Sequence, residues 1–503
     1  MSDLSTCPTN AAASDGDTPH DECGVFGVWA PGRDVARMTY FALRALQHRG
    51  QESAGIAVGN GDTVLVRKDL GLVTQVFSDA DLSAMPGRVA IGHVRYGTAG
   101  AKGWESSQPH LSTIDDVIIA LAHNGTLVNF DALRRELIEM GIPFRSNTDS
   151  EVAAKLIGYF TVRAGRLRSG IAHTMHLLEG GYAIVLVREN ALYAFRDPHG
   201  IRPLVLGRLD GDGWAVASET CALDIVGATF VREVIPGEIV RISEDGLRSE
   251  AGLEPLPPAH CIFEHVYFSR PDSVQDGSSF YKMRHDMGRR LARETPVDAD
   301  LVISVPDSGT PAAEGFAAEL GLPYGTGLIK NRYVARTFIQ PTQELRQLGV
   351  RLKLNALPDA VAGKRLVMVD DSIVRGTTSK QIVRMLRNAG ATEVHVRSAS
   401  PMVMWPCFYG IDTADQDQLI AANMSLEEIR GYIGADSLGF LSTKGLLDVV
   451  PVNGYCTACF TGAYPVEIPE SFYRDKFPPG NRPHNLSNAS ATSRMSIDEV
   501  VAE

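Results

Sequence analysis

Along most of the chain, short apolar runs alternate with stretches whose apolar positions recur at helical spacing. Gly24-Val25-Phe26-Gly27-Val28-Trp29 reads as a strand. Asp34 through Leu46 reads as a helix, with Val35, Met38, Ala42 and Leu46 on one face. Further strands are expected at Ile56 to Val58, Val64 to Val66, Val89 to Gly92, Val117 to Ala122, Ala183 to Val187 and Leu192 to Phe195. Helices are expected at Phe130 to Met140 and Ser150 to Phe160. Many strands with helices in blocks predict a layered α+β domain over 23–253. Glu254-Pro255-Leu256-Pro257-Pro258 is a stiff break, and 254–260 is the expected linker. The pattern then becomes βαβ. A helix near Tyr281 to Arg293 precedes the strand Leu301 to Val305 and a helix from Pro311. The strand Leu366 to Val369, a helix from Ser379 to Asn388 and the strand Val394 to Val396 follow. Continuous Val/Ile/Leu runs between helices predict a parallel sheet buried on both faces, in a second domain over 261–470. The segment 478–503 is polar and Ser/Asn-rich and is expected to lack order.

Composition narrows the function. The 503 residues are 44% hydrophobic and 21% charged, with a net charge of −12. That balance opposes broad binding to nucleic acid or anionic membranes, though not a local basic site. No long uncharged apolar run offers a membrane span. Seven cysteines are too sparse for a disulfide scaffold and suit a reducing cytoplasm. Residues 1–22 hold Asp3, Asp15, Asp17, Asp21 and Glu22 but no Lys or Arg, which is not a signal peptide. They read as a disordered tail or as a leader that is removed, depending on what Cys23 does.

The strongest local chemistry lies at Val367-Met368-Val369-Asp370-Asp371, followed by Ser372-Ile373-Val374-Arg375-Gly376-Thr377-Thr378-Ser379. A strand ends in paired carboxylates, and a Gly loop with hydroxyls opens into a helix. Backbone N–H groups of such a loop cradle phosphate. Carboxylates repel phosphate, so they serve sugar hydroxyls or a Mg²⁺ bridging to phosphate oxygens. The alternative is an Asp-Asp helix cap. The segment resembles the phosphoribosyl-pyrophosphate (PRPP) motif of type I phosphoribosyltransferases. By that resemblance Asp370 and Asp371 hold the ribose hydroxyls and Mg²⁺, and Arg375, Gly376, Thr377, Thr378 and Ser379 wrap the 5-phosphate. Val305-Pro306-Asp307-Ser308-Gly309-Thr310 resembles the pyrophosphate loop, with Ser308 a further metal ligand. Between them Lys330, Arg332, Arg336, Arg346, Arg351 and Lys353 form a basic stretch. It reads as a lid over a polyanion, or as a solvated loop.

In the first half, polar clusters end apolar runs. They are His93 to Thr98, Ala122 to Thr126 and Ser146 to Glu151. Arg95 suits a carboxylate, Asp149 an ammonium, and Asn124 with the Gly125 N–H an oxyanion. Cys23 is the candidate nucleophile. Its own α-amino group would take the thiol proton if the chain began there; otherwise it is a buried thiol. Cys23 to Gly27, and Leu46-Gln47-His48-Arg49-Gly50-Gln51-Glu52-Ser53-Ala54-Gly55, resemble the N-terminal-nucleophile glutamine amidotransferases. The resemblance makes Cys23 the nucleophile, Arg95 and Asp149 the glutamine-binding pair, and Asn124 with Gly125 the oxyanion hole. It implies an αββα fold.

Cys261, Cys407, Cys456 and Cys459 remain as a thiol set, the last two a C-x-x-C pair. Four thiolates suit Zn²⁺ or a [4Fe–4S] cluster, and spacing does not decide between them; the alternative is a coincidence of buried thiols. The two halves, in this order, resemble the glutamine-dependent PRPP amidotransferases, in the subclass with a cleaved propeptide and a [4Fe–4S] cluster. That resemblance selects iron–sulfur. It implies the first committed step of de novo purine synthesis, in which PRPP, glutamine and water give 5-phosphoribosylamine, glutamate and pyrophosphate. It also implies a cytoplasmic homotetramer inhibited by purine nucleotides, with Lys330 a contact for them. A sugar-phosphate amidotransferase would lack Asp370-Asp371 with its Gly-Thr-Thr loop. A PRPP-sensing regulator would not need the glutaminase parts, nor would a salvage phosphoribosyltransferase.

Overall fold

A computed structural model describes residues 23–61, 63–96, 103–331, 353–413, 415–470, 476–477 and 497. The acidic leader with Cys7, Thr98, the basic stretch from Arg332 through Arg351, and the tail apart from Ile497 lie outside the described residues.

The first half is two antiparallel sheets face to face, seven-stranded and six-stranded. In the seven-stranded sheet, Gly24–Trp29 (β1), Ser53–Gly59 (β2), Val64–Leu70 (β3) and Val89–Arg95 (β4) lie with β4 between β1 and β2. The six-stranded sheet contains His110–Ile114 (β5), Val117–Leu127 (β6), Gly180–Arg188 (β7) and Ala191–Arg196 (β8), with β5 at its edge. Alternation along β1 makes the layers. Phe26 and Val28 pack with Ala36, Ala42 and Leu43 of the helix Val35–Ala45 (α1), while Val25 and Trp29 face Val185 and Leu192 of the other sheet. Gly27 also faces inward, where a Cβ would stand 2.8 Å from Leu192. Asp34 starts α1 by accepting the Arg37 N–H at 2.9 Å. On the far side, Asp149–Ala164 (α2) and Leu167–Leu177 (α3) bury Leu156, Phe160 and Ile171 against Ile119, Leu121 and Ile184. The order of layers is α, β, β, α, as expected.

The second half is built on a four-stranded parallel sheet of Leu301–Ser304 (β9), Arg365–Asp370 (β10), Glu393–Ser398 (β11) and Ser437–Phe440 (β12). Val302, Val367 and Val369 enter one core with Met287 of Phe280–Glu294 (α4) and Phe316 of Thr310–Leu320 (α5). Ile303, Leu366 and Met368 enter the other with Ile382 and Leu386 of Thr377–Asn388 (α6). Both faces are covered, which is why these strands read as unbroken apolar runs.

Residues 254–258 of the linker are exposed, whereas Ala259 near its end is buried. Immediately beyond it, His260–Cys261 pairs in parallel with Tyr455–Cys456, tying the start of the second half to its end. One residue departs from the expectation of a tail without order. Ile497 is fully buried in the α2–α3 layer, and its N–H donates to Glu136 at 3.2 Å. The polarity of the tail as a whole hid a single apolar anchor.

Candidate active sites

Cys23 directly precedes β1. Since Gly24 lies opposite Val94, the thiol is brought beside Arg95 at the end of β4. Gly50 makes room for that strand end, because a Cβ there would stand 2.6 Å from the Arg95 backbone N. Arg95 is buried, with its guanidinium 3.9 Å from the Glu52 carboxylate. Burial pushes the Cys23 thiol up. A hydrogen bond from the Tyr96 backbone and the Arg95 charge pull it down, while Asp149 and Glu52 push it up again. Arg95 and Asp149 therefore both lie within electrostatic reach of the sulfur, and the thiol is not ionised by its surroundings alone.

Asn124 lies on β6, fully buried. Neither its side-chain O nor its N has a hydrogen-bond partner among the described residues. An amide left in that state is costly unless a ligand completes it. Gly125 follows at φ +134°, and a Cβ on it would stand 2.0 Å from the Gly181 carbonyl O, so only glycine fits. Asp149 begins α2, whose N-cap Thr148 accepts from Glu151 N. The Asp149 Oδ2 accepts from Leu127 N at 3.0 Å and its Oδ1 from Ser150 N at 2.7 Å. Arg95 and Asp149 thus lie near the sulfur, and Asp149 is tied to Leu127, on the strand that carries Asn124 and Gly125. Gln108, which grips the residue before Asn124, was not anticipated. The His-Asn-Gly run pointed to this neighbourhood, but nothing marked the partner.

At the second site Asp370 ends β10 and Asp371 follows, 5% and 2% exposed. Ser308 Oγ donates to Asp371 Oδ1 at 2.5 Å and Ser372 Oγ to Oδ2 at 2.8 Å. Burial raises the Asp371 carboxyl, and Ser308, Ser372 and Arg284 pull it back. Gly376 is the N-cap of α6 at φ +73°, so Thr377, Thr378 and Ser379 open the helix and turn its first N–H groups toward the loop. The paired acids are therefore not the cap. Lys330 Nζ lies 2.9 Å from Asp307 Oδ2 beside the same loop. Arg332 is outside the described residues. Arg284 is a further member that the sequence did not single out. It is buried on α4 and donates to the carbonyls of Glu264, His265 and Ser269. Burial lowers its guanidinium to about 10 against the pull of Asp371. In sequence it is one arginine among several on a charged helix.

The four cysteines of the second half also gather. Cys261 lies in register with Cys456, and the Cys459 carbonyl accepts from Met404 and Trp405 N–H groups at 2.9 and 3.0 Å. Tyr409 N donates to Cys407 Sγ at 3.4 Å. Burial raises the thiols of Cys261, Cys456 and Cys459, and the neighbouring thiols raise them further. Among the described residues, no three His, Cys, Asp or Glu side chains close on a point tightly enough to grip one metal ion. Cys221 is buried elsewhere, against Glu219 and Ser273.

Comparison with known proteins finds both domain types in this chain. Residues 98–224 match a glutamine amidotransferase domain and residues 284–400 a phosphoribosyl transferase domain. Amidophosphoribosyltransferase of Mycobacterium tuberculosis is 51% identical over 497 residues, covering 96% of this chain and 94% of the relative. That of Bacillus subtilis is 50% identical over 459 residues, 89% of this chain and 95% of the relative. A solved glutamine PRPP amidotransferase from B. subtilis, complexed with ADP and GMP, superposes with a TM-score of 0.83 at 49% identity, covering 89% of this chain and 98% of that one. A structure described as the allosteric regulatory enzyme of purine biosynthesis gives 0.84 at 49% identity, over 90% and 98%.

Proposed function

The chain belongs to the amidophosphoribosyltransferase family, and from that premise we propose how its two halves divide the reaction. It is a glutamine-dependent PRPP amidotransferase of purine biosynthesis, a pentosyltransferase. In our reading Arg95 pairs with the glutamine carboxylate and Asp149 with its ammonium. Cys23 Sγ attacks the amide carbon, and the oxyanion accepts from Asn124 Nδ2 and the Gly125 N–H. The base is the α-amine of Cys23, freed by removal of residues 1–22. It takes the thiol proton and passes it to the departing ammonia. Water then cleaves the thioester and releases glutamate. The observation that carries this half is the buried amide of Asn124, which has no hydrogen-bond partner among the described residues. It is a hydrogen-bond donor held for a group that arrives with the substrate.

Ammonia then attacks C1 of PRPP as pyrophosphate leaves, giving 5-phosphoribosylamine. Asp370 and Asp371 hold the ribose hydroxyls, and Arg375 through Ser379 hold the 5-phosphate. Lys330, beside Asp307 of the pyrophosphate loop, is assigned to the departing pyrophosphate, and Arg332, outside the described residues, is assigned to the same group by sequence alone. Asp370, Asp371 and Ser308 would hold Mg²⁺. They are hard oxygen donors, and the buried Asp371 charge is met mainly by hydroxyls, so the set suits a cation whose other ligands come from the substrate. When bound, that ion supplies charge neutralisation at the pyrophosphate.

Cys261, Cys407, Cys456 and Cys459 would hold a [4Fe–4S] cluster. Zinc draws its four sulfurs to about 2.3 Å from one centre, whereas each thiolate of a four-iron cluster binds a different iron. The four thiols lie within electrostatic reach of one another, so each would supply one thiolate to such a cluster. Bound there, it would cross-link the strand at Cys261, the Cys407 loop and the C-terminal segment. Purine nucleotides are the expected feedback inhibitors, with Lys330 a contact, as a B. subtilis relative carries ADP and GMP. Free cysteines among the described residues suit a reducing cytoplasm, and the assembly we expect is a homotetramer. No helix of the described residues is long and apolar enough to cross a membrane.

The test is a paired assay of PRPP consumption with glutamine and with ammonia. The reading requires both nitrogen sources to be used by the processed chain, and it fails if glutamine is used at full rate by chain that retains residues 1–22.

A further inference from the structure

Strand β6 outruns its neighbour. Its ladder with β5 ends where His110 meets Leu121, so among the described residues no strand pairs with the edge of β6 beyond that point. His123 is the first residue past the end whose peptide groups face this edge. Both are met by one side chain. Gln108 Oε1 accepts from His123 N at 2.7 Å, and Gln108 Nε2 donates to His123 O at 3.2 Å. The amide of Gln108 stands in for the missing peptide of a neighbouring strand. A second donor, His93 Nε2, reaches the same carbonyl at 3.0 Å. Burial, with the nearby Arg95 charge, lowers the His93 ring to about 3, so it is neutral.

Peptide groups of a strand alternate between its two edges. The Gly125 N–H therefore points to the same open edge as His123. So does Leu127, whose N–H is taken by Asp149 Oδ2 at 3.0 Å. On the other edge Asn124 pairs with Ala183 of β7. The Gly125 donor is thus bracketed. Gln108 fixes the peptide two residues before it, and Asp149 fixes the one two residues after. Gln108 is 5% exposed, and its own backbone is fixed as well, since a Cβ on Gly55 would stand 2.0 Å from the Gln108 carbonyl O.

We propose that Gln108 is a positioning residue for the oxyanion hole. It replaces the absent strand at the edge of β6 and so aims the Gly125 N–H and the Asn124 amide at the tetrahedral intermediate. The inference rests on the oxyanion reading of Asn124 and Gly125. Donors of this kind act only when aligned on the charge that develops in the transition state, and misalignment by about 1 Å costs up to 10²-fold. The effect should fall on turnover rather than on glutamine binding, which belongs to Arg95 and Asp149.

The test compares Gln108→Met, Gln108→Glu and Asn124→Ala in the full processed enzyme. Gln108→Met keeps the volume and loses both hydrogen bonds. Its glutaminase kcat should fall about 10- to 100-fold with glutamine KM unchanged, while ammonia-driven synthesis is retained. Gln108→Glu provides a signature that loss of packing would not. Only its protonated form both accepts from His123 N and donates to His123 O. Its glutaminase kcat relative to wild type should therefore rise as pH is lowered from about 8 to about 6, because burial raises a carboxyl. An unchanged kcat in Gln108→Met, a joint loss of ammonia-driven synthesis, or a flat pH ratio for Gln108→Glu would each overturn the proposal. Asn124→Ala separates the two levels. If it keeps full glutaminase activity, the oxyanion reading itself is wrong. If it loses activity while Gln108→Met does not, only the role of Gln108 falls.

Discussion

Arg49 Nη2 donates to Glu264 Oε2 at 2.5 Å, with both side chains sealed from water. Arg49 belongs to the run that supports the glutamine site, and Glu264 to the first turn of the phosphoribosyl half. Glu264 also accepts from Arg202 Nη2 at 2.7 Å, and Arg49 turns its Nε to Glu219. Behind Glu264, Arg284 holds the same turn by its carbonyls and feels the charge of Asp371. The two halves therefore meet through buried, mutually compensated charges. Such a contact adds little over a well-packed apolar one, but it is expensive to break from one side.

Glu264→Gln should show that asymmetry. It leaves Arg49 and Arg202 without their shared counter-charge in a dry interface, at a cost of about 3–5 kcal/mol. The expected result is a lower urea midpoint, with glutamine-driven and ammonia-driven rates declining together. A midpoint equal to that of wild type would mean that water reaches the pair.

The same contacts set an acid limit. Burial alone would raise the Glu219 carboxyl, but Arg49 and His48 more than reverse this and hold it below the usual carboxylate range. Its folded value lies below its unfolded one, so its stabilisation is complete above about pH 4.3 and is lost as pH falls toward the folded value. Denaturant titrations at about pH 7 and pH 4 should show reduced stability at the lower pH, and Glu219→Gln should flatten that difference. An equal loss in the variant would assign the acid sensitivity to other groups.

Cys23→Ala removes the nucleophile but leaves every group around PRPP. Glutamine-dependent synthesis should disappear, at least 10³-fold down, while ammonia-dependent synthesis persists at a comparable rate. Loss of both would show that the halves do not divide the work.

These contrasts follow what the chain discloses locally and what it hides. A layered α+β domain was legible because strands and helices come in blocks, whereas the αββα order came from the resemblance. The phosphate loop was legible because Asp370 through Ser379 is continuous, so strand, acids, glycine and helix start all lie within one window. The candidate glutamine residues are spread over separate segments, so polar clusters at strand ends and the resemblance named Cys23, Arg95, Asn124 and Asp149, but no single window holds them. Arg49 and Glu264 were not legible as a pair, since 215 positions separate them and each is a charged residue expected in solvent. Gln108 was hidden for a different reason. Its role depends on where β5 stops, and a ladder end leaves no mark in the sequence.

Asp371→Asn keeps the shape of the strand end but removes a charge that Ser308, Ser372 and Arg284 all address. The neutral amide cannot accept from both hydroxyls as the carboxylate does, nor serve a metal ion well. PRPP use should fall by about 10-fold or more with either nitrogen source, and PRPP-independent glutamine hydrolysis should be nearly unaffected. Unchanged PRPP kinetics would remove Asp371 from the sugar site.

Chelation and mutation of the thiol set should separate a cluster from a single ion. Enzyme purified without oxygen should contain iron and acid-labile sulfide in equal amounts and little zinc, and Cys456→Ser should lose both together. Cys456 is paired in register with Cys261, and its carbonyl accepts from Ile262 N, so the contact joins the first strand after the linker to the C-terminal segment. If a bound group is lost, the segment is freed, because Cys261 and Cys459 are buried thiols raised by that burial and make no bond to one another. Residues 454–460 should then become accessible to protease in Cys456→Ser, while β1 and β4 stay protected. A zinc-only enzyme would refute the iron–sulfur reading. A Cys456→Ser enzyme with full iron and unchanged proteolysis would show that the thiols, though gathered, bind nothing between them.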